Sequence, residues 1–410
     1  MLGGNKKLSY KKAVLKQLYF DAGISCAEIS HRINRSIPLT TRILDELLNE
    51  NLVMEGGPGS TGLGRKPKTY VLQENSFFVV SVVIDQFLTR IHLVSNQNKK
   101  VASAQFEWVP GSNEEALVLF SQRVEELIAD SGIDKSIILG VGMAVSGAFD
   151  STNALGLLYQ GMSEKSIAQF ISRQLQLPVF IDTISSLVAL AEFRFGKANR
   201  HHNTMVLNLS WDIGLGMILN GEIFRGHKYY AGEFSHLPLF ENNKLCTCGK
   251  TGCLETEASV LVLMEKIREG IQSGRNSILN NDFDPTDPER AFGLIVHAAL
   301  HGDQFVIELI ADAGYQIGRG VAILIHLLNP DLIVLSGRGA IIGKFWITSI
   351  QYAINRLCIP AIAEDVKMEI SQMNYNAEII GATALVMEKI DSTSFDQYPI
   401  KLIEPIPIHT

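Results

Sequence analysis

The sequence predicts an α/β protein whose body falls into two halves, preceded by a small winged helix-turn-helix. Three observations predict it. Residues 7–72 hold two apolar stripes at helical spacing with a capping box between them, then two strand-like runs flanking a Gly- and Lys-rich stretch. From Phe77 onward, strand-like runs alternate with helical ones, the pattern of sheets covered by helices. A second set of glycine-punctuated strands starts at Met205, which divides the body in two. At 410 residues the chain needs more than one core.

Residues 7–22 place Tyr10, Val14, Leu15, Leu18 and Tyr19 on one helical face, and Gly23 stops the helix. Ser25-Cys26-Ala27-Glu28 is a capping box that opens a short second helix running to about Asn34. Ser36 can cap a third, with Pro38 in its first turn, where a missing amide costs little. Leu39, Ile43, Leu44, Leu47 and Leu48 give that helix its buried stripe. Arg35, Ser36, Thr40, Thr41 and Arg42 fall at its front, where a recognition helix meets double-stranded operator DNA. Two strands, residues 52–55 and 69–72, then flank a wing whose glycines allow Arg65, Lys66 and Lys68 to reach phosphates or a minor groove.

In the body, residues 77–84 and 89–95 read as a hairpin, 113–131 as a helix and 137–145 as a buried strand ending at Ser146-Gly147. Residues 178–181 are another strand and 185–195 a helix. The second half reads as strands at 205–209 and 214–221, helices at about 289–301, 304–328 and 377–390, and a strand at 331–335 that delivers Ser336-Gly337-Arg338-Gly339 into a turn. Doubly wound sheets place ligands at such strand ends. Residues 280–288 read as a surface loop.

Charge separates the parts. Of the chain's 36 Lys and Arg and 43 Asp and Glu, residues 1–75 hold 11 and 7, so the head is basic and the remainder acidic. Nucleic-acid contact is therefore expected only at the head. No uninterrupted apolar run approaches the roughly 20 residues of a membrane span, and the basic start lacks a signal-peptide core. The reading is a cytoplasmic protein with no membrane partner. Five cysteines, three of them in one cluster, fit a reducing compartment.

That cluster is the most informative stretch: His236, then Cys246-Thr247-Cys248-Gly249-Lys250-Thr251-Gly252-Cys253. Three thiolates on a Gly-rich turn plus one imidazole make a closed tetrahedral set for one structural Zn²⁺ per chain, with no position for an activated water.

With these motifs the chain resembles the ROK family of repressors, open reading frames and sugar kinases, and specifically its winged-helix repressors. The match is carried by Ala231-Gly232-Glu233-Phe234-Ser235-His236 followed by the cysteine turn and Leu254-Glu255. The resemblance implies an actin-like (ribonuclease H-like) body of two lobes. It further implies that Glu233, His236 and Glu255 bond sugar hydroxyls while His236 also ligates the metal. Where family kinases carry Asp-x-Gly-Gly-Thr, this chain has Asp85-Gln86-Phe87-Leu88-Thr89-Arg90; where they carry Gly-Thr-Gly it has Ser210-Trp211-Asp212. Counting back from Ala191-Glu192 sets Thr183 and Ile184 against the family's Asn-Asp pair, with Asp182 two residues away. Isoleucine cannot accept a hydroxyl proton. The expectation is no catalytic residue and no kinase activity, since phosphoryl transfer needs both positioning and charge stabilisation.

The reading is thus a winged-helix domain over residues 1–75, a first lobe over 76–190 to which the C-terminal helix returns, and a zinc-containing second lobe with the C-terminal segment over 191–410. Its function is a DNA-binding regulator, a repressor of carbohydrate genes, acting as a homodimer or homotetramer and sensing a sugar or sugar derivative. The alternatives are a sugar kinase with an appended DNA module and a regulator controlled by a protein partner.

Overall fold

The computed structural model describes residues 4–58, 67–107, 114–146, 164–279 and 283–392. The head comprises α1 (Gly4–Phe20), β1 (Ile24–Ser25), α2 (Cys26–Arg32), α3 (Ile37–Asn49), β2 (Val53–Pro58) and β3 (Lys68–Leu72), its strands in the antiparallel order β1-β3-β2. Val14, Leu15 and Leu18 of α1 are buried, as are Ile43, Leu44 and Leu47 of α3. The buried Lys11 ammonium reaches Glu50 at 2.5 Å and Glu46 at 3.3 Å.

The capping box forms. The Glu28 amide donates to Ser25 Oγ at 3.3 Å, and the Ser25 amide donates to Glu28 Oε2 at 2.7 Å. The helix it opens is shorter than expected, because Asn34 turns left-handed at φ 51°. Ser36 opens α3 without a side-chain cap. Its carbonyl instead accepts from the Thr40 amide at 3.0 Å and the Thr40 hydroxyl at 3.1 Å.

Two compact units divide the described chain. The first takes residues 4–146, 164–182 and 379–392, so it holds the head as well as a lobe of the body; the second takes 183–378. The first unit's sheet contains β4 (Phe78–Ile84), β5 (Leu88–Ser95), β6 (Lys100–Glu107), β7 (Ile138–Val145) and β8 (Val179–Thr183), in the order β6-β5-β4-β7-β8, with helices α4 (Glu114–Ser131) and α5 (Glu164–Leu175).

The second unit opens with α6 (Ile184–Phe195). Its sheet comprises β9 (Thr204–Leu209), β10 (Ile213–Leu219), β11 (Glu222–Phe224), β12 (Leu332–Ser336) and β13 (Lys367–Ile370), in the order β11-β10-β9-β12-β13. In chain order its helices are α7 (Glu255–Ala258), α8 (Val260–Gln272), α9 (Pro288–Leu300), α10 (Gln304–Leu328), α11 (Gly343–Leu357) and α12 (Pro360–Ala363). Helix α13 (Asn376–Lys389) closes the described fold.

Each sheet starts with a three-strand antiparallel meander, then adds parallel pairing from its first strand to its fourth. This repeated order is the ribonuclease H-like half of an actin-like body. Crossovers between the parallel strands run through helices, which cover both faces and leave β4, β7, β9 and β12 almost entirely buried.

Helix α6, which the sequence reading divides between lobes at residue 190, lies wholly in the second unit. It seats on a strand made smooth by glycine: a Cβ at Gly216 would stand 2.4 Å from the Ala189 side chain. From Ile379 on, the chain packs with the first unit rather than the second. A Cβ at Gly142 of β7 would fall 1.9 Å from the Ala382 carbonyl of α13, so this helix also beds directly on backbone.

Helices α9 and α10 carry much of the second unit's core, including Phe292, Ile295, Ile310, Ile317 and Val321. Asn329, left-handed at φ 43°, stops α10 before Pro330. Among the described residues no single helix is long and apolar enough to cross a membrane; the α9 and α10 pair passes that test only together, across a 104° bend.

Candidate effector site, metal cluster and nucleic-acid interface

The candidate metal site, a His/Cys cluster, is built on irregular backbone between β11 and α7. A short helical turn, Phe234–His236, places the imidazole, and two isolated bridges, Pro238 with Cys253 and Leu245 with Thr251, fold the cysteine turn back against it. His236, Cys246, Cys248 and Cys253 put one donor atom each within 4.8 Å of all the others. Cys246 Sγ lies 3.4 Å from His236 Nδ1, and Cys248 Sγ lies 3.6 Å from Cys253 Sγ. A sulfur tetrahedron around a metal at the usual bond length has edges of about 3.8 Å, so the donor set fits a tetrahedral cation. The sulfurs are too far apart for a disulfide, and all five cysteines of the chain are free thiols. Burial, then crowding by the neighbouring thiols, pushes Cys253 up to about 12. A divalent cation at the centre would reverse that by stabilising thiolates.

The same imidazole faces two sites. Its Nδ1 is turned to the cluster, while Nε2 points to Glu233 Oε2 at 3.7 Å. Burial holds His236 below the usual imidazole range, which favours the neutral form that ligates metals. Glu255 begins α7 two residues beyond the last cysteine, and its Oε2 accepts from the Ile213 amide at 3.2 Å. Burial and then the charge of Asp212 push Glu255 up to about 7. The same two causes raise Glu233. Asp212, Glu233 and Glu255 thus form one acceptor-rich group beside the metal cluster. Such a group suits a ligand with several hydroxyl donors and opposes a phosphate. Glu233 and Glu255 are the carboxylates to which the family resemblance points. Asp212 enters this group only through the fold, because the turn between β9 and β10 brings it in from a distant part of the chain.

Arg338 was missed as a contact. It is 1 % exposed; its Nε donates to Ser210 Oγ at 3.0 Å and its Nη1 to Glu289 at 2.9 Å. The guanidinium lies 3.5 Å from the centre of the Trp211 ring and 4.8 Å from that of Tyr375. Trp211 itself is 1 % exposed and meets Phe292 edge to face. An arginine bounded by glycines just after an apolar strand was the available signal.

The other expected kinase positions are equally occupied by local structure. Asp85 Oδ1 accepts from the amides of Phe87 and Leu88, both at 2.9 Å, and Oδ2 pairs with Arg90 at 3.1 Å. Thr183 caps α6 by accepting from the Ser186 amide, and Ile184 is buried in its first turn. Glu192 accepts from Ser336 Oγ at 2.8 Å and from the Lys197 amide at 3.1 Å.

On the head, Arg35, Ser36, Thr41, Arg42 and Lys68 are exposed. Thr40 is a correction: it is fully buried, its hydroxyl returned to the Ser36 carbonyl, so it faces the core rather than base edges. The Thr41 hydroxyl donates to the Ile37 carbonyl at 3.0 Å. Arg35 stacks on Tyr10, Arg42 lies 3.7 Å from Glu46, and Lys68 pairs with Glu55 at 2.7 Å. Arg65 and Lys66 lie outside the described residues.

A winged helix-turn-helix joined to a duplicated α/β body with a His/Cys₃ centre defines the class of DNA-binding proteins built on a sugar-kinase-like scaffold. The sequence matches the ROK family over residues 86–389 and the winged helix-turn-helix DNA-binding family over 8–54. The chain belongs to the ROK family. It is 27% identical over 395 residues to the xylose repressor of Caldicellulosiruptor bescii, covering 95% of this chain and 97% of that protein. A glucokinase of Halalkalibacterium halodurans is 28% identical over 263 residues, 63% of this chain and 79% of the enzyme. Among solved structures, a ROK family transcriptional regulator, a homologue of the E. coli MLC protein, superposes with a TM-score of 0.75 at 22% identity, covering 97% of this chain and 99% of that one. A ROK family glucokinase from Streptomyces griseus, solved with glucose and AMPPNP, gives a TM-score of 0.61 at 22% identity over 75% of this chain and 98% of the enzyme.

Proposed function

We propose that this chain is a DNA-binding transcriptional regulator of sugar-related genes, a repressor, whose second unit binds a neutral sugar without phosphorylating it. The observation that carries the proposal is the pairing, in one chain, of a helix-turn-helix with an exposed basic front and a carboxylate group braced by a metal cluster. Several relatives that match the chain nearly end to end are named xylose repressors, so xylose is the first effector to test. Because burial and then the charge of Asp212 raise the cost of ionising both Glu233 and Glu255, a further negative charge is opposed, and a neutral sugar is favoured over its phosphate at this end of the site.

Zinc is the cation the donor set fits best: three sulfurs and one nitrogen in a closed tetrahedron, one ion per chain, holding the segment between Glu233 and Glu255 in shape. Each chain carries one recognition helix, so the working form is a homodimer or a tetramer of two such pairs on an inverted repeat.

Three placements support the non-catalytic reading. Trp211 and Arg338 occupy the turn where a phosphate loop would need glycines, Asp85 is consumed by its own turn, and Ile184 replaces a base. The kinase alternative draws on the glucokinase relative; control by a protein partner is the third reading. Selection of bound fragments from the source genome tests the proposal. It should recover an inverted repeat beside genes of carbohydrate uptake or breakdown, and recovery without any shared sequence would contradict it.

A further inference from the structure

Arg338 does more than fill space in the second unit. Its guanidinium is held on four sides, by Ser210, Trp211, Glu289 and Tyr375, and three of those contacts come from separated parts of the chain. Two of them, Ser210 and Trp211, belong to the turn that continues into Asp212, and the next amide, Ile213, donates to Glu255. The turn therefore shares Asp212 with the effector group and is joined to Glu255 through the Ile213 amide. Tyr375 stands at the root of α13, the residue before its first turn.

Helix α13 starts in the second unit and continues unbroken into the first. Fourteen residues make it about 20 Å long. In the first unit its Ile379 carbonyl accepts from Ser81 Oγ of β4 at 3.0 Å, and it lies on Gly142 of β7 without side chains between. Its far end is tied to the DNA head. Lys16 of α1 donates to the Glu388 carbonyl at 2.7 Å and reaches Asp391 Oδ1 at 3.2 Å. One turn on, the buried Tyr19 hydroxyl donates to Asn98 Oδ1 at 2.6 Å, which fixes α1 to the β5–β6 hairpin.

We propose that Arg338 is a positioning residue that couples the 210–212 turn to the root of α13, and that α13 carries the state of that turn to the DNA head through Lys16. A rigid guanidinium held at once by Ser210, Glu289 and two ring faces ties those segments together, so a shift of one is passed to the others. The purpose of this route rests on the regulator reading above. Its existence does not, and the test needs neither sugar nor DNA.

Amide hydrogen exchange on the full chain reads the route. Tyr375→Leu should speed exchange roughly ten-fold in peptides over 205–213, over 384–391 and over 12–20, while 138–145 keeps its protection. Tyr375→Phe, which retains a ring, should restore wild-type rates at all three places. Faster exchange confined to residues 370–380 would overturn the proposal, as would no restoration by Phe. If Tyr375→Leu lowers protection along the whole chain, Lys16→Met approaches from the other end. It should speed exchange over 376–389 and over 205–213 with α3 unaffected, and unchanged rates there would equally overturn it.

Discussion

His92 should make the first unit acid-sensitive. It sits on β5 opposite Ser81 of β4 and Ser103 of β6, is 8 % exposed, and neither ring nitrogen has a hydrogen-bond partner among the described residues. Burial, with Lys100 and Arg90 adding positive charge, pushes it down to about 4 from the usual 6.5. The unfolded chain therefore binds a proton that the folded chain refuses between those values. Stability from the neutral imidazole is complete above pH 6.5 and is lost as pH falls through 6.5 toward 4. A shift of that size corresponds to about 3 kcal/mol.

His92→Leu removes the titrating group and two buried polar atoms while keeping volume. Urea unfolding followed by circular dichroism, run at pH 7.5 and pH 4, should show wild type losing about 3 kcal/mol more than the variant across that interval. At pH 7.5 the variant should be at least as stable as wild type, because unpartnered buried polar atoms cost about 1–3 kcal/mol. Equal losses in the two proteins would rule out His92 as the source of the acid sensitivity.

Four other outcomes are expected. Cys253→Ser should lower zinc content from one equivalent per chain to a small fraction, measured by metal analysis after dialysis; unchanged content would remove this thiol from the ligand set. Gly142→Ala should destabilise by about 2 kcal/mol or more, because α13 must lift from β7, and an unshifted thermal midpoint would show that the seat is softer than described. Arg42→Ala should weaken binding to the selected operator about ten-fold while metal content stays the same. Glu255→Gln should abolish the stabilisation that excess xylose confers on wild type in a thermal-shift assay, about 3 kcal/mol at a hundred-fold excess over the dissociation constant; retained stabilisation would move the sugar elsewhere.

Legibility in the sequence followed the range of the interaction. The capping box at Ser25 and Glu28 is a four-residue device and was read correctly, and the long helix ending at Asn329 announced itself by period and by the following proline. Strand β6 and helices α5, α8 and α11 were missed. Strand β6 lies on a sheet edge with an exposed, small-residue pattern, whereas α11 does carry a legible stripe, Trp346, Ile350, Ala353 and Ile354, which seats it on Gly314 and Gly318 of α10. Thr40 shows the limit at single-residue scale: its place in the helix was right, but one residue's rotation about the axis separates the core from the front. The His/Cys₃ cluster was readable because spacing alone nearly fixes it. Arg338 was not, because Ser210, Glu289 and Tyr375 meet it only after folding.

The proposed regulator binds a sugar as a signal and releases it unchanged. A single experiment reads both halves: the zinc-loaded chain, its selected operator, ATP with Mg²⁺, and xylose or glucose, with DNA mobility and ADP release followed together. One sugar should alter operator mobility while ADP release stays at background. Sugar-dependent ADP release with a phosphorylated sugar as product would contradict it.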